Sequence, residues 1–138
     1  MAKSTGSVVF APDYRRPPNA KFPTGFDDCL TGITYIVKHA DEFGIDPKNL
    51  ILSGDSFGAQ IALSMSFTSG SLFKAVSVNN PPTQNILLSL PSHQKYKYFM
   101  LSDTLAAWYW SGVINGENGY KVSILFVFDL ANLKFIVV

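Results

Sequence analysis

Residues 54–58 read Gly-Asp-Ser-Phe-Gly, and this G-x-S-x-G pentapeptide is the part of the chain best suited to chemistry. It lies between a short apolar run at residues 49–52 and a helix-like stretch at residues 59–67. A serine placed between a strand and a helix in this pattern is typical of a nucleophile elbow, a sharp turn with the hydroxyl at its tip. An ordinary turn that contains serine by chance is the alternative, because the pentapeptide alone is a weak signal.

Three of the four neighbours of the serine are predicted to form the bend itself: Gly54, Asp55 and Gly58. Glycine is expected at the two flanking positions, since a Cβ there would collide with the neighbouring element or require an unfavourable φ. The turn would lift the Ser56 hydroxyl clear of the sheet. It would also point the first amides of the following helix at the place where negative charge develops during attack on a carbonyl.

The elements that must position this turn follow from apolar patterning. Compact β-favouring runs predict strands at residues 7–11, 50–52 and 72–78. Apolar residues spaced by three and four predict an amphipathic helix over residues 24–43, and a second helix is expected over 57–67. The resulting order β-α-β-α-β, with short connections, predicts an α/β fold with a parallel sheet core and crossover helices.

Details within these elements lead to further expectations. Pro23 suits the start of the first helix, Gly44 suits its C-cap, and Cys29 falls within its pattern. Because it is the single cysteine, Cys29 excludes an internal disulfide and leaves too few thiols for a structural zinc site. We predict a buried packing thiol there.

The pattern weakens after Pro82. Residues 86–98 show no clear period, and residues 102–104 are suited to cap a helix that runs to Trp110. The aromatic residues of that helix either pack or line an apolar substrate pocket, and packing is favoured. Residues 122–138 are strongly apolar but too short and too interrupted for a membrane span, so one or two buried strands are expected. The predicted division is a domain over residues 1–120 and a tail of unclear origin over 121–138.

Composition excludes several classes of function. Eleven basic and ten acidic residues leave a net charge of +1, which offers no electrostatic case for a nucleic-acid partner. His39 and His93 lie far apart in the sequence, with no nearby carboxylate spacing that suggests a metal site. No cofactor is predicted. A flavodoxin-like or nucleotide-binding domain is disfavoured, because the turns carry no phosphate-cradling loop such as G-x-x-x-x-G-K. Residues 1–6 lack the apolar core of a signal peptide.

Several motifs agree with one family. They occupy residues 8–15, 22–23, 27–30, 43–47 and 54–58, with a later match at 90–94 and 99–110. Over roughly residues 2–114 the chain resembles the interior of an arylacetamide-deacetylase-like or hormone-sensitive-lipase-like esterase of the α/β-hydrolase superfamily. The resemblance implies a partial α/β-hydrolase fold with a nucleophile elbow.

The resemblance also implies roles. Ser56 would be the acylated nucleophile, and the amide of Phe57 would supply one oxyanion-hole donor. Residues 13–15 would form a structural turn after a central strand, where a buried Arg or Asp network is scaffold rather than catalytic machinery. Relatives usually have a small residue where Phe57 stands, so its bulk is expected to narrow the site. The implied activity is that of a cofactor-independent serine hydrolase of the carboxylesterase or lipase type. Its substrates would be lipophilic acyl esters or arylamides.

Parts of the family pattern are missing. Relatives carry a His-Gly-Gly-Gly-type segment upstream, and their triad acid and histidine follow the serine by more than a hundred residues, which is more than follow Ser56 here. His93 comes too early in the matched segment to be the base, so we predict a surface loop histidine, and His39 precedes the serine within a helix. We therefore expect a truncated esterase; the alternative is an inactive fragment or a non-catalytic binding module of the same fold. Intact relatives often carry an N-terminal anchor at the endoplasmic reticulum membrane, which would bring membrane association, and residues 1–6 show no such anchor.

Overall fold

The computed structural model describes residues 2–82, 91–96, 98 and 103–113. Helices and strands alternate through its centre. In chain order the elements are α1 (Ala2–Thr5), α2 (Thr24–Lys38), α3 (Ala40–Phe43), β1 (Ile51–Asp55), α4 (Phe57–Thr68), a 3-10 turn (Gly70–Leu72), β2 (Ala75–Asn79), α5 (Pro91–Tyr96) and α6 (Asp103–Val113).

The sheet of the described residues consists of β1 and β2, which run parallel with Ile51 opposite Ala75 and Asp55 opposite Asn79. Helix α4 makes the crossover between them and packs against both strands. At the start of β2 the Lys74 amide donates to the carbonyl of Leu50 over 2.8 Å, which extends the ladder by one residue. The prediction of a parallel sheet with crossover helices is confirmed, although both strands begin later than the apolar runs that predicted them.

The predicted strand at residues 7–11 is wrong. Residues 7–16 have irregular backbone, and Val8 is 55% exposed. A β-favouring run forms a ladder only where a neighbouring strand supplies donors and acceptors, and the sheet of the described residues ends at β1. Phe10 instead packs edge-to-face against Phe43, with ring centroids 5.2 Å apart.

The helix predicted over residues 24–43 is interrupted at His39, where φ is −112° and ψ is 29°. The Nδ1 of His39 hydrogen bonds to the carbonyl of Tyr35 over 2.8 Å, and the two rings stack 4.0 Å apart. Gly44 then closes α3 in the left-handed conformation, with φ 63°, and the Ile45 amide donates to the carbonyl of Ala40. This confirms the predicted C-cap, because glycine reaches that conformation without a Cβ penalty.

Helix α4 lies at the centre of the core. Its Met65 is only 1% exposed and forms a buried cluster with Ile61 and with Cys29 of α2. Partly buried hydrophobic side chains complete the cluster: Tyr14, Phe26, Leu30, Ile33, Leu52, Phe57 and Phe73. The predicted packing role of Cys29 is confirmed. Burial, and secondarily the charge of Asp28, raises the pKa of its thiol above the usual value, which favours the protonated form.

The later predictions fare unevenly. Helix α6 confirms the helix expected after residue 102, whereas α1 and α5 were not predicted. In the described part of the chain, no helix combines the length and apolarity needed to cross a membrane. The strands expected within residues 122–138, and the domain division at residue 120, lie outside the described residues and stay predictions.

An ion pair ties the irregular segment before α2 to that helix. The Arg15 Nε and Nη2 donate to the two carboxylate oxygens of Asp28 over 3.0 and 2.7 Å, and the Arg15 amide donates to Oδ2 over 3.0 Å. Arg16 pairs with Asp13 in the same segment. The resemblance implied a buried network here, but both arginines are largely exposed, since the segment runs over the surface of α2.

We predict an acid-dependent loss of stability that depends on Asp28. Hydrogen bonds from Arg15 lower the pKa of Asp28 from its ordinary 3.8 to about 2. A carboxyl whose pKa is depressed by folding stabilises the protein above its ordinary pKa, and this contribution is lost as the pH falls from about 4 to about 2. Urea unfolding midpoints should therefore drop less over this range for Asp28→Asn than for the unchanged chain. Asp27→Asn, which removes a charge from the same turn, is the control and should keep the original acid dependence.

Candidate active site

The turn between β1 and α4 consists of a single residue, Ser56. Its φ of 52° and ψ of −122° lie in a region that residues with a side chain rarely occupy, at a cost of about 1–3 kcal/mol. Ser56 is exposed, and its side chain makes no capping hydrogen bond to α4. The bend therefore presents the hydroxyl to solvent at the carboxyl end of the sheet.

Hydrogen bonds hold this strained residue on both sides. The Ser56 amide donates to the carbonyl of Asn79 over 3.0 Å, and the Ser56 carbonyl accepts from the Gln60 amide over 3.2 Å. Next to it, the Asp55 carboxylate accepts a bond of 2.7 Å from the side-chain amide of Asn79. The end of β2 and the first turn of α4 thus fix the bend together.

The steric role predicted for the flanking glycines holds at one of the two. A Cβ on Gly54 would lie 2.3 Å from the carbonyl oxygen of Gly58 and 2.6 Å from the amide nitrogen of Ala59, distances that no side chain can occupy. A Cβ on Gly58 would meet nothing within 4 Å, so the expectation of crowding there is wrong. The end of β1 approaches the α4 backbone at Gly58, and this approach leaves no space for a Cβ on Gly54.

Phe57 turns its side chain into the protein rather than over the serine. It packs against the buried cluster of Cys29, Ile61 and Met65, and its ring centroid lies 6.4 Å from that of Tyr14. Its amide is the first of α4, and the amides of a first helical turn have no acceptor within the helix. The positive end of the helix dipole adds to their attraction for an anion. The Phe57 side chain was expected to narrow the site, but it packs against the core instead.

A cavity of about 30 Å³ lies behind Phe57, with walls that include Gly25, Gln60 and Val113. This volume is room for about two water molecules. Trp108 of α6 is 67% exposed and meets its exposed neighbour Tyr109 edge-to-face, so packing against the core, the favoured interpretation of these aromatic residues, is wrong for this pair. The contact of α6 with the core is made at its end, where Val113 is buried and accepts a bond from the Phe22 amide.

The described residues do not place His39 as a base. His39 is engaged with Tyr35 at the junction of α2 and α3. His93 belongs to α5, not to a loop as predicted. Across residues 2–82 and the later described stretches, no group of three or more His, Cys, Asp or Glu side chains is arranged to hold a metal ion.

The site thus consists of three parts: a strand, a strained turn of one residue that carries serine, and a crossover helix. A family model described as alpha/beta hydrolase fold matches residues 1–138. The chain belongs to this family. The resemblance to an α/β-hydrolase that the motifs indicated is confirmed. The names of relatives and of solved structures show that the family is of the esterase and lipase type.

Relatives and solved structures agree with this assignment. Arylacetamide deacetylase-like 3 of Homo sapiens is 42% identical over 45% of the chain and 15% of its own length. Arylacetamide deacetylase of Bos taurus is 26% identical over 90% of the chain and 33% of its own length. A thermostable carboxylesterase cloned from a metagenomic library superposes with a TM-score of 0.83 at 27% identity. That superposition covers 91% of this chain and 46% of the other, so the chain spans less than half the length of these proteins.

Two features of the site were missed by sequence reasoning. The side chain of Asn79 reaches Asp55, and the only sequence signal was an asparagine that ends a predicted strand. The pairing of Arg15 with Asp28 joins residues thirteen positions apart, and charge alone does not select that pair among the other acids nearby.

We predict opposite effects for alanine at the two glycines. Gly54→Ala forces the end of β1 away from the start of α4 and should lower the free energy of unfolding by about 1–3 kcal/mol or more. Gly58→Ala adds a methyl group in open space within a helix and should raise it by up to about 1 kcal/mol. Urea unfolding of the two variants measures both changes, and equal changes would contradict the close approach at Gly54.

Proposed function

We propose that Ser56 is the nucleophile of a serine hydrolase of the carboxylesterase or lipase type. The observation that carries this proposal is the conformation of Ser56, an exposed serine held at positive φ between a parallel strand and its crossover helix. A strained residue is retained only where its surroundings determine it, and such residues cluster at functional sites. The bend is the arrangement expected of a nucleophile elbow.

The chemistry follows from the two groups at the turn. The Ser56 oxygen attacks the carbonyl carbon of an acyl ester and forms a new C–O bond, and the carbonyl oxygen becomes an oxyanion. The Phe57 amide, the first of α4, donates to that oxyanion. Collapse of the intermediate breaks the bond to the alcohol, which leaves with the proton that Ser56 lost. Water then attacks the acyl-serine, the bond to Ser56 breaks, and the carboxylic acid leaves while a proton from the water returns to the Ser56 oxygen.

The substrate class is proposed from the family. Membership in an esterase family implies ester substrates, and the names of relatives include acetyl esterase, lipase and arylacetamide deacetylase. We therefore propose lipophilic acyl esters or arylamides as substrates. No cofactor enters this reaction, since the bond changes involve only serine, the acyl compound and water.

A non-catalytic member of the family is the second candidate. It is favoured by His39, whose Nδ1 already bonds to the carbonyl of Tyr35 at the junction of α2 and α3. Serine needs a base to accept its proton, and a triad without one retains only a small part of its rate enhancement. A chain with the elbow but no base would bind acyl compounds without turning them over.

We expect a fluorophosphonate probe to label Ser56, because the probe forms a covalent bond to the oxygen of an activated nucleophilic serine. Ser56→Ala should abolish the label, as read by mass spectrometry of the digested protein, and should reduce p-nitrophenyl acetate hydrolysis to the background rate. Ser53→Ala is the matched control, since Ser53 is also an exposed serine and belongs to β1. It should retain the label. A folded chain whose Ser56 stays unlabelled would support the non-catalytic candidate instead.

A further inference from the structure

The last residue of β2 makes contacts that reach beyond the sheet. Asn79 lies opposite Asp55 in the parallel register, so it ends its strand beside the residue that precedes the serine. We propose that Asn79 is a positioning residue for Ser56, acting through its side-chain bond to Asp55. This inference rests on the proposed role of Ser56 as nucleophile, but the geometry of the contact is independent of it.

Asn79 holds the turn with two different groups. Its backbone carbonyl accepts the Ser56 amide over 3.0 Å, a contact that any residue at this position makes. Its side-chain nitrogen donates to Oδ1 of Asp55 over 2.7 Å, a contact that needs the amide side chain. The second bond is therefore the one that a substitution can remove without disturbing the first.

The bond to Asp55 matters because the turn is only one residue long. Ser56 sits at a φ of 52°, which residues with a Cβ leave readily when their neighbours are mobile. With Asp55 fixed on one side and the Ser56 carbonyl bonded to Gln60 on the other, rotation about the Ser56 backbone is opposed from both ends. The serine oxygen is then held in one place, which is the condition for efficient attack.

The same bond controls a charge beside the nucleophile. A carboxylate adjacent to Ser56 would disfavour the oxyanion if it swung towards it, because like charges repel most strongly at short range. Donation from Asn79 holds the Asp55 carboxylate against the end of β2. Asn80 follows in the left-handed region, with φ 46°, a conformation that asparagine tolerates better than most residues with a side chain.

Ser77 offers a matched control for the side chain of Asn79. Ser77 is the preceding residue of β2 on the same exposed side, and it lies opposite Ser53 rather than at the turn. Removing its side chain changes the same strand and the same side but leaves the turn untouched. Ser77→Ala is thus a matched control for Asn79.

The test compares Asn79→Ala, Asn79→Asp and Ser77→Ala in the full chain. Asn79→Asp keeps the side-chain shape but has no N–H to donate. If it behaves like Asn79→Ala, the effect comes from the lost hydrogen bond and not from the lost side-chain volume. The first readout is the rate of fluorophosphonate labelling at Ser56, which we expect to fall by about tenfold or more in both Asn79 variants, since small misplacements of a reacting group cost that much. The second readout is hydrogen exchange of the Ser56 amide, which should accelerate by a similar factor, while the Met65 amide in the core stays protected.

A double-mutant cycle with Asp55→Ala separates positioning from a general loss of stability. If Asn79 acts through Asp55, Asn79→Ala has little further effect on either readout once Asp55 is alanine. Additive changes, or unchanged Ser56 exchange in Asn79→Ala, would overturn the proposal. Absent labelling in every variant, including the unchanged chain, would reject the proposed function alone, because the exchange measurement decides the role of Asn79 without any reaction.

Discussion

The contact between Gly54 and the backbone of residues 58–59 is the constraint on which the rest of the molecule depends. Because Gly54 lacks a Cβ, the end of β1 approaches the start of α4 closely enough for one residue to join them. That short connection forces Ser56 to positive φ, and it also brings α4 directly over the two strands. The core cluster around Met65 and the exposure of the serine are therefore two results of the same close approach.

The local patterns in the sequence were sufficient for most of the fold. Helix α4, the C-cap at Gly44 and the parallel pairing of β1 with β2 follow from apolar spacing, glycine placement and the order of elements. The run at residues 7–11 shows where such patterns stop. Its composition favours extended backbone, but a strand exists only through its neighbour, and composition does not say whether a neighbour is present.

The candidate site divides in the same way. Ser56 and Gly54 could be found from the pentapeptide, since their roles depend on residues adjacent in sequence. The bond from Asn79 to Asp55 depends on the register of two strands separated by a helix, which a single sequence does not determine. The inward turn of the Phe57 ring was also missed, because it depends on Tyr14 and the core cluster, which lie far away along the chain.

The strained backbone at residue 56 sets the stability of the fold against the reactivity proposed for its hydroxyl. Glycine reaches positive φ without penalty, so on conformational grounds alone a chain with glycine at this position would be the more stable one. The side chain found there is thus not the one that foldability would select. A population of variants screened only for thermal resistance would be drawn towards losing this hydroxyl, and with it the nucleophile that we propose.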